Sequence, residues 1–188
     1  MTIVQSHWMQ QARTISNRVD SSRIVVVPVG CDVSLCPAGE MEKSDMAGVG
    51  QGVRFFYPAS ALPYKNFEVA IQALILLRAQ GHHAELVLTI TGMENDYARR
   101  IMALAKPLGD AVQFCGPISR RSALLMLQQS ILVFPSIIET FGLPLLEARK
   151  LGSWVIAADT PFARKILDGY RRAHFLLASR VRNLHPLC

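Results

Sequence analysis

No acidic residue follows Asp168 in this 188-residue chain, although Arg171, Arg172, Arg180 and Arg182 crowd its end. The net charge of +6 would suit a phosphate-bearing partner, yet a basic end is more often simply solvated. Cysteine is scarce, and Cys31, Cys36, Cys115 and Cys188 form no C-x-x-C pair, which excludes the common zinc and dithiol motifs. Cys115 lies in an apolar strand-like run and reads as core. The histidines do not fall at ligand spacing from carboxylates, so no metal is expected. The first residues include Trp8, Gln10 and Arg13 in place of an apolar stretch, so no secretory signal is read and a cytoplasmic location is expected. Residues 122–138 are uncharged, but Gln128, Gln129 and Ser130 divide them and Pro135 interrupts the end. A helix followed by a buried strand fits better than a membrane span. Ser-His-Asp and Cys-His constellations and the P-loop are missing too. Gly48, Gly50 and Gly52 have half the spacing of a glycine-rich phosphate loop, but they precede a strand instead of joining one to a helix.

What is present is a core. Hydrophobic residues make up 51% of the chain and charged ones 18%, which argues against disorder. A chain of this size buries roughly 70% of its unfolded surface without disulfides. It fits one domain, or one domain and a fragment of another.

Short apolar runs alternate with amphipathic stretches. Strands are expected over residues 23–29, 53–57, 85–91, 111–115, 131–134 and 154–157. Helices are expected over 65–80, 96–108, 119–129, 144–151 and 161–167, and a loop over 31–51. Ser119 is placed to cap its helix, and Asp159 with Thr160 the last one. Such alternation predicts an α/β fold, a parallel sheet with helices on both faces. Ligands of such sheets bind beyond the carboxyl ends of the strands, at the loops opened by Pro58, Gly92, Gly116 and Pro135.

The densest cluster of chemistry runs from Phe134 to Glu147. Pro144 suits a first helical turn, so the amides of Phe141, Gly142 and Leu143 stand at a helix start. Amides there, aided by the helix dipole, hold phosphate or sugar oxygens, and Gly142 admits a ligand close to the backbone. Glu139 and Glu147 flank this start, and ionised carboxylates accept from sugar and ribose hydroxyls. The helix dipole alone also favours acids here, so both readings stand at this point. Lys65, at a strand-to-helix junction beside Asn66, can neutralise a diphosphate or simply face solvent. Ser60 and Thr91 are hydroxyls at loop ends, suited to phosphate or to capping.

These residues, in this order, resemble the C-terminal domain of glycosyltransferase family 4, the group 1 type with the GT-B fold. The likeness rests on Glu139-Thr-Phe-Gly-Leu-Pro-Leu-Leu-Glu147, preceded by Phe134-Pro-Ser136 and followed by Gly152 and Val155-Ile-Ala-Ala-Asp159. Upstream, Phe56-Tyr-Pro58 with Lys65-Asn66 and Leu88-Thr-Ile-Thr-Gly92 continue it. The Phe-Tyr-Pro and Lys-Asn form is most similar to bacterial lipopolysaccharide and O-antigen hexosyltransferases. The resemblance implies retaining transfer of a hexose from a nucleotide-diphosphate sugar to a polysaccharide or lipid-linked acceptor. No cofactor or metal is implied beyond that donor.

It assigns catalytic positions to Glu139, on the hexose, and Lys65, on the leaving diphosphate. Glu147 would hold the ribose, and Phe141, Gly142, Leu143, Thr140, Ser60 and Gly92 would line the donor site. Two positions depart from the pattern: Ala59-Ser60-Ala61 stands where an arginine is common, and Lys165 where glutamate is common.

Residues 1–22 resemble only the end of an acceptor domain, 23–170 the donor-binding Rossmann-like domain, and 171–188 form a divergent basic tail. His174 to Leu177 match part of one further strand. The chain therefore reads as a truncated C-terminal half of a GT-B protein, from a shortened or frame-shifted gene. Its partners would be a nucleotide sugar and an acceptor-domain protein or complementary fragment, not nucleic acid, with peripheral association at the cytoplasmic face of the inner membrane. A catalytically silent sugar-nucleotide-binding remnant or interaction module is the second reading, and a GT-B-like epimerase the third.

Overall fold

The computed structural model describes residues 1–17, 19–34 and 52–176. Gly48, Gly50, Cys36, Cys188, Leu177, Arg180 and Arg182, named above, lie outside the described residues.

Six parallel strands form the main sheet: β3 (Val53–Tyr57), β4 (Ala84–Leu88), β5 (Val112–Phe114), β6 (Ile131–Phe134), β7 (Val155–Ala158) and β8 (Ala173–Leu176). Their order across the sheet is β5-β4-β3-β6-β7-β8. Adjacent residues of a strand point to opposite faces. Phe56 and Tyr57 are both fully buried, as are Leu86, Val87 and Leu88 to within 4%, so both faces of the sheet are covered. The connecting helices are α2 (Phe67–Ala79), α3 (Asp96–Ala105), α4 (Arg120–Gln129), α5 (Leu143–Leu151) and α6 (Pro161–Ile166). In α2, Phe67, Ala70, Ile71 and Leu74 are buried at the spacing of one helical stripe.

Side-chain caps set several helix starts. Asn95, Ser119 and Thr160 accept from Ala98, Ser122 and Ala163 amides, as residues of these types do when the chain enters a helix. Thr160 alone caps α6, because Asp159 instead makes two 2.7 Å hydrogen bonds with Arg164. Helix α3 stops at Ala105 because Pro107 and Gly109 (φ 53°) turn the chain through a 3-10 segment. Cys115 lies one residue past β5 and is exposed, not in the core.

The strand read at 23–29 forms as β2 (Ile24–Val26), but it does not join the main sheet. It pairs in parallel with β1 (Thr2–Val4), and α1 (His7–Asn17) connects the two. A division between residues 22 and 23 thus separates two strands that hydrogen-bond to each other. Strand composition carries no record of which distant strand is the partner, so this pairing was not legible locally. At the other end, β8 lies past residue 170 and completes the sheet beside β7.

Candidate functional site

Strand β3 is the first of the main sheet. From it the chain winds outward through β4 and β5, then returns to β6 on the other side. The crevice between β3 and β6 is therefore the topological switch point, where an open α/β sheet presents its ligand site.

The loops leaving these two strands are fastened together there. The Ile137 amide (3.0 Å) and the Ser136 hydroxyl (3.4 Å) both donate to the Tyr64 carbonyl. Lys65 does not open α2. It ends a short 3-10 turn, and Asn66 follows at φ 55°, a left-handed conformation that asparagine tolerates. Tyr57, buried in β3, donates its hydroxyl to the Lys65 carbonyl at 2.8 Å. The turn aims the Lys65 ammonium at Glu139, with which it forms an ion pair. The two side chains are only 14% and 12% exposed. The rings of Tyr64 and Phe134 lie 5.5 and 6.0 Å from the ammonium and shield it further.

Beyond Glu139 the chain reaches Gly142 (φ 81°), which opens α5 with no side-chain cap. Its amide end is thus available to a ligand, the condition under which helix starts bind anions. Phe141 lines a cleft of about 270 Å³ with Trp8, Val26, Pro28, Leu146 and Phe162, where α1 and β2 meet α5 and α6. Thr140 is exposed, and its carbonyl accepts from the Ser6 hydroxyl at 3.3 Å. Leu143 is half-buried at the first turn of α5.

Glu147 lies one turn further along α5 and is buried. Its Oε1 is 2.9 Å from Arg120 Nη1, at the start of α4. Lys65–Glu139 and Arg120–Glu147 are therefore two separate charge pairs on either side of the α5 start. Burial pushes the Glu147 carboxyl above its usual range, and Arg120 pulls only part of the way back. A carboxyl raised in the folded state binds protons more readily there than in the unfolded chain. Its stabilising contribution is full below the unfolded value and is lost as pH rises through the folded one. Wild type is therefore expected to gain stability relative to Glu147→Gln as pH falls from neutrality into the carboxylate range. Thermal melts of both proteins across pH check this, and a pH-independent gap would contradict it.

Other expected positions have local structural roles. Gly92 (φ 82°) is buried against Met102 of α3, in a backbone conformation that residues with a side chain rarely adopt. The Thr91 hydroxyl accepts from the Met93 amide (3.1 Å), a turn contact and not a helix cap. Ser60 is exposed, and its carbonyl accepts from the Leu62 amide. Sequence reasoning passed over Arg120. The available signal was a cation in the first turn of a helix, where the dipole disfavours it. Among the described residues, no group of three metal-ligating side chains occurs.

A parallel sheet with a charged switch-point crevice, and beside it a helix start with no side-chain cap, defines an α/β domain of Rossmann-like type. The family described as "Glycosyl transferases group 1" matches residues 49–179, and the chain belongs to that family. It is 27% identical over 157 residues to D-inositol 3-phosphate glycosyltransferase of Arthrobacter sp. (strain FB24), covering 80% of this chain and 37% of that protein. Anabaena HepE, solved with UDP and glucose, superposes with a TM-score of 0.77 at 21% identity, over 93% of this chain and 48% of that one. WaaG, a glycosyltransferase involved in lipopolysaccharide biosynthesis, superposes at 0.73 and 19% identity with the same coverage. These likenesses establish the fold as one half of GT-B. The chain spans about half the length of those solved structures.

Proposed function

We propose that this chain is the donor-binding half of a retaining hexosyltransferase and holds a nucleotide-diphosphate sugar at the β3–β6 crevice. The observation that carries this reading is the Lys65–Glu139 pair, set at the switch point beside the uncapped start of α5. Lys65 takes the diphosphate, Glu139 the hexose hydroxyls and Glu147 the ribose. The amides of Phe141, Gly142 and Leu143 grip phosphate and sugar oxygens. Thr140, Ser60 and Gly92 border the same space as loop backbone. Catalysis then consists of positioning the donor and stabilising the charge that grows on the leaving diphosphate. The UDP and glucose in HepE support such a donor, and WaaG's part in lipopolysaccharide biosynthesis supports a polysaccharide or lipid-linked acceptor.

An acceptor-domain protein or complementary fragment is proposed as a partner. Ile3 and Val25 are register partners in the small sheet, and both are exposed, so one face of it is open to such a partner. The exposed Ile3 and Val25 favour a second reading, a sugar-nucleotide-binding module that transfers only with an acceptor-domain partner.

Calorimetric titration with uridine and guanosine diphosphates tests donor binding. Glu147→Ala is expected to weaken the preferred nucleotide about tenfold or more, through the lost hydroxyl contacts. Equal affinity of wild type and variant would remove Glu147 from the site. A transfer assay with radiolabelled nucleotide sugar and membrane-extracted acceptor separates the two readings, since the silent module gives no turnover until an acceptor-domain partner is added.

A further inference from the structure

We propose that Arg120 is the positioning residue for the nucleotide ribose: from the start of α4 it orients the Glu147 carboxylate and keeps it ready to accept hydroxyls. This inference rests on the donor-binding reading above.

The argument begins with a misplaced charge. Arg120 is the first residue of α4, and no acid lies in that first turn. The partial positive charge of a helix start repels a cation, so the helix itself gives no reason for arginine here. The compensation comes from elsewhere. Nη1 reaches Glu147 Oε1 on α5 at 2.9 Å, and Nη2 donates to the Asp32 carbonyl at 2.8 Å. The planar guanidinium thus spans two separate elements, which fixes its direction in a way that a single ammonium contact does not.

Around Glu147, the described charged or titratable groups are Arg120 from α4, the Cys31 thiol from the connecting segment, and Lys150 further along α5. Lys150 donates to the Cys31 carbonyl. Burial raises the Cys31 thiol and Glu147 adds to the rise, so that neighbour is neutral and offers the carboxylate no charge. Arg120 is therefore the cation that offsets the burial of Glu147. A carboxylate has two oxygens, so with Arg120 on Oε1 the other can serve a vicinal diol. A protonated carboxyl offers fewer acceptor sites and a hydrogen that competes for them.

The test uses the 188-residue chain, with uridine diphosphate and its 2′,3′-dideoxy analogue titrated across pH, and the guanosine pair in parallel. Wild type is expected to prefer the ribose-bearing nucleotide. In Arg120→Met that preference falls about tenfold, the scale of a charge-assisted hydrogen bond. The acid limb of binding also moves to higher pH. Arg120→Lys restores the acid limb through its charge but regains only part of the preference. In a Glu147→Gln background, Arg120→Met changes the preference no further.

A merely structural arginine would lower the melting temperature and leave both the preference and the limb in place, which overturns the inference. If Arg120→Met does not fold, Arg120→Lys still reads the ribose preference, which falls below wild type under the inference and stays at the wild-type value if the arginine is merely structural. If Glu147→Gln leaves the ribose preference at the wild-type value, the ribose role of Glu147 in the donor reading fails and this inference with it, an outcome distinct from failure of Arg120 alone.

Discussion

Lys65→Met is expected to lower affinity for a nucleoside diphosphate by about ten- to a hundredfold, the range measured for hydrogen bonds to charged groups. The same substitution also destabilises the fold. Glu139 keeps 12% side-chain exposure and loses the cation that pairs with it. Removing one member of a buried pair costs about 3–5 kcal/mol, and the remaining solvent contact here brings the expectation to about 2. Those two effects separate in the double variant. Lys65→Met with Glu139→Gln removes the stranded charge and recovers most of the melting temperature, but it does not recover nucleotide affinity. Glu139→Gln alone leaves the Lys65 ammonium without its internal counter-ion, so diphosphate binding should tighten while any preference for the hexose-bearing donor shrinks. Calorimetric titrations with uridine diphosphate and its glucose conjugate, beside thermal melts, read all four proteins. A Lys65→Met protein that keeps wild-type diphosphate affinity would show that the ammonium serves only the fold.

The pair also explains what the sequence made legible at this site and what it did not. Lys65 and Glu139 could each be named from local chemistry, one at a strand exit and one before a helix. That they touch each other depends on strand order, because only a sheet ordered β5-β4-β3-β6-β7-β8 sets the exits of β3 and β6 side by side. The apolar spacing placed a helix over residues 65–80, yet Lys65 falls in a separate 3-10 turn before α2. Asn66 at φ 55° divides the two, and an asparagine after proline-rich sequence was the available sign of such a break. The alternation of strands and helices was readable because buried parallel strands are continuous apolar runs, as in Leu86-Val87-Leu88. The pairing of β2 with β1 was not, since Ile24-Val25-Val26 is equally suited to either sheet. Arg120 illustrates a third kind of omission. Its partner Glu147 is 27 positions away in the chain, and only packing of α4 against α5 brings them together.

Gly142→Val is expected to cost about 2–3 kcal/mol of stability and to abolish measurable donor binding in the same range of concentration. The residue adopts φ 81°, a conformation that a β-branched side chain strongly resists. Space is short as well: an added Cβ would lie 3.3 Å from Leu145 Cδ1 and 3.4 Å from Ile166 Cδ1, with Phe162 Cδ2 at 3.6 Å. Relief of either constraint requires the chain to rotate at the point where α5 begins. That rotation redirects the amides of Phe141 and Leu143, which act on a ligand only while they converge.

The other end of the same helix supplies the control. Gly152 closes α5 at φ 73°, but the nearest atom to its added Cβ is Arg172 Nη1 at 3.8 Å. Gly152→Ala should therefore carry the backbone strain alone, about 1 kcal/mol, and leave nucleotide affinity unchanged. Loss of binding in Gly142→Val with retention in Gly152→Ala ties the ligand to the geometry of the helix start. Equal losses in both would mean that binding follows the stability of α5 as a whole, and the amides at its first turn would then have no separate part in holding the donor.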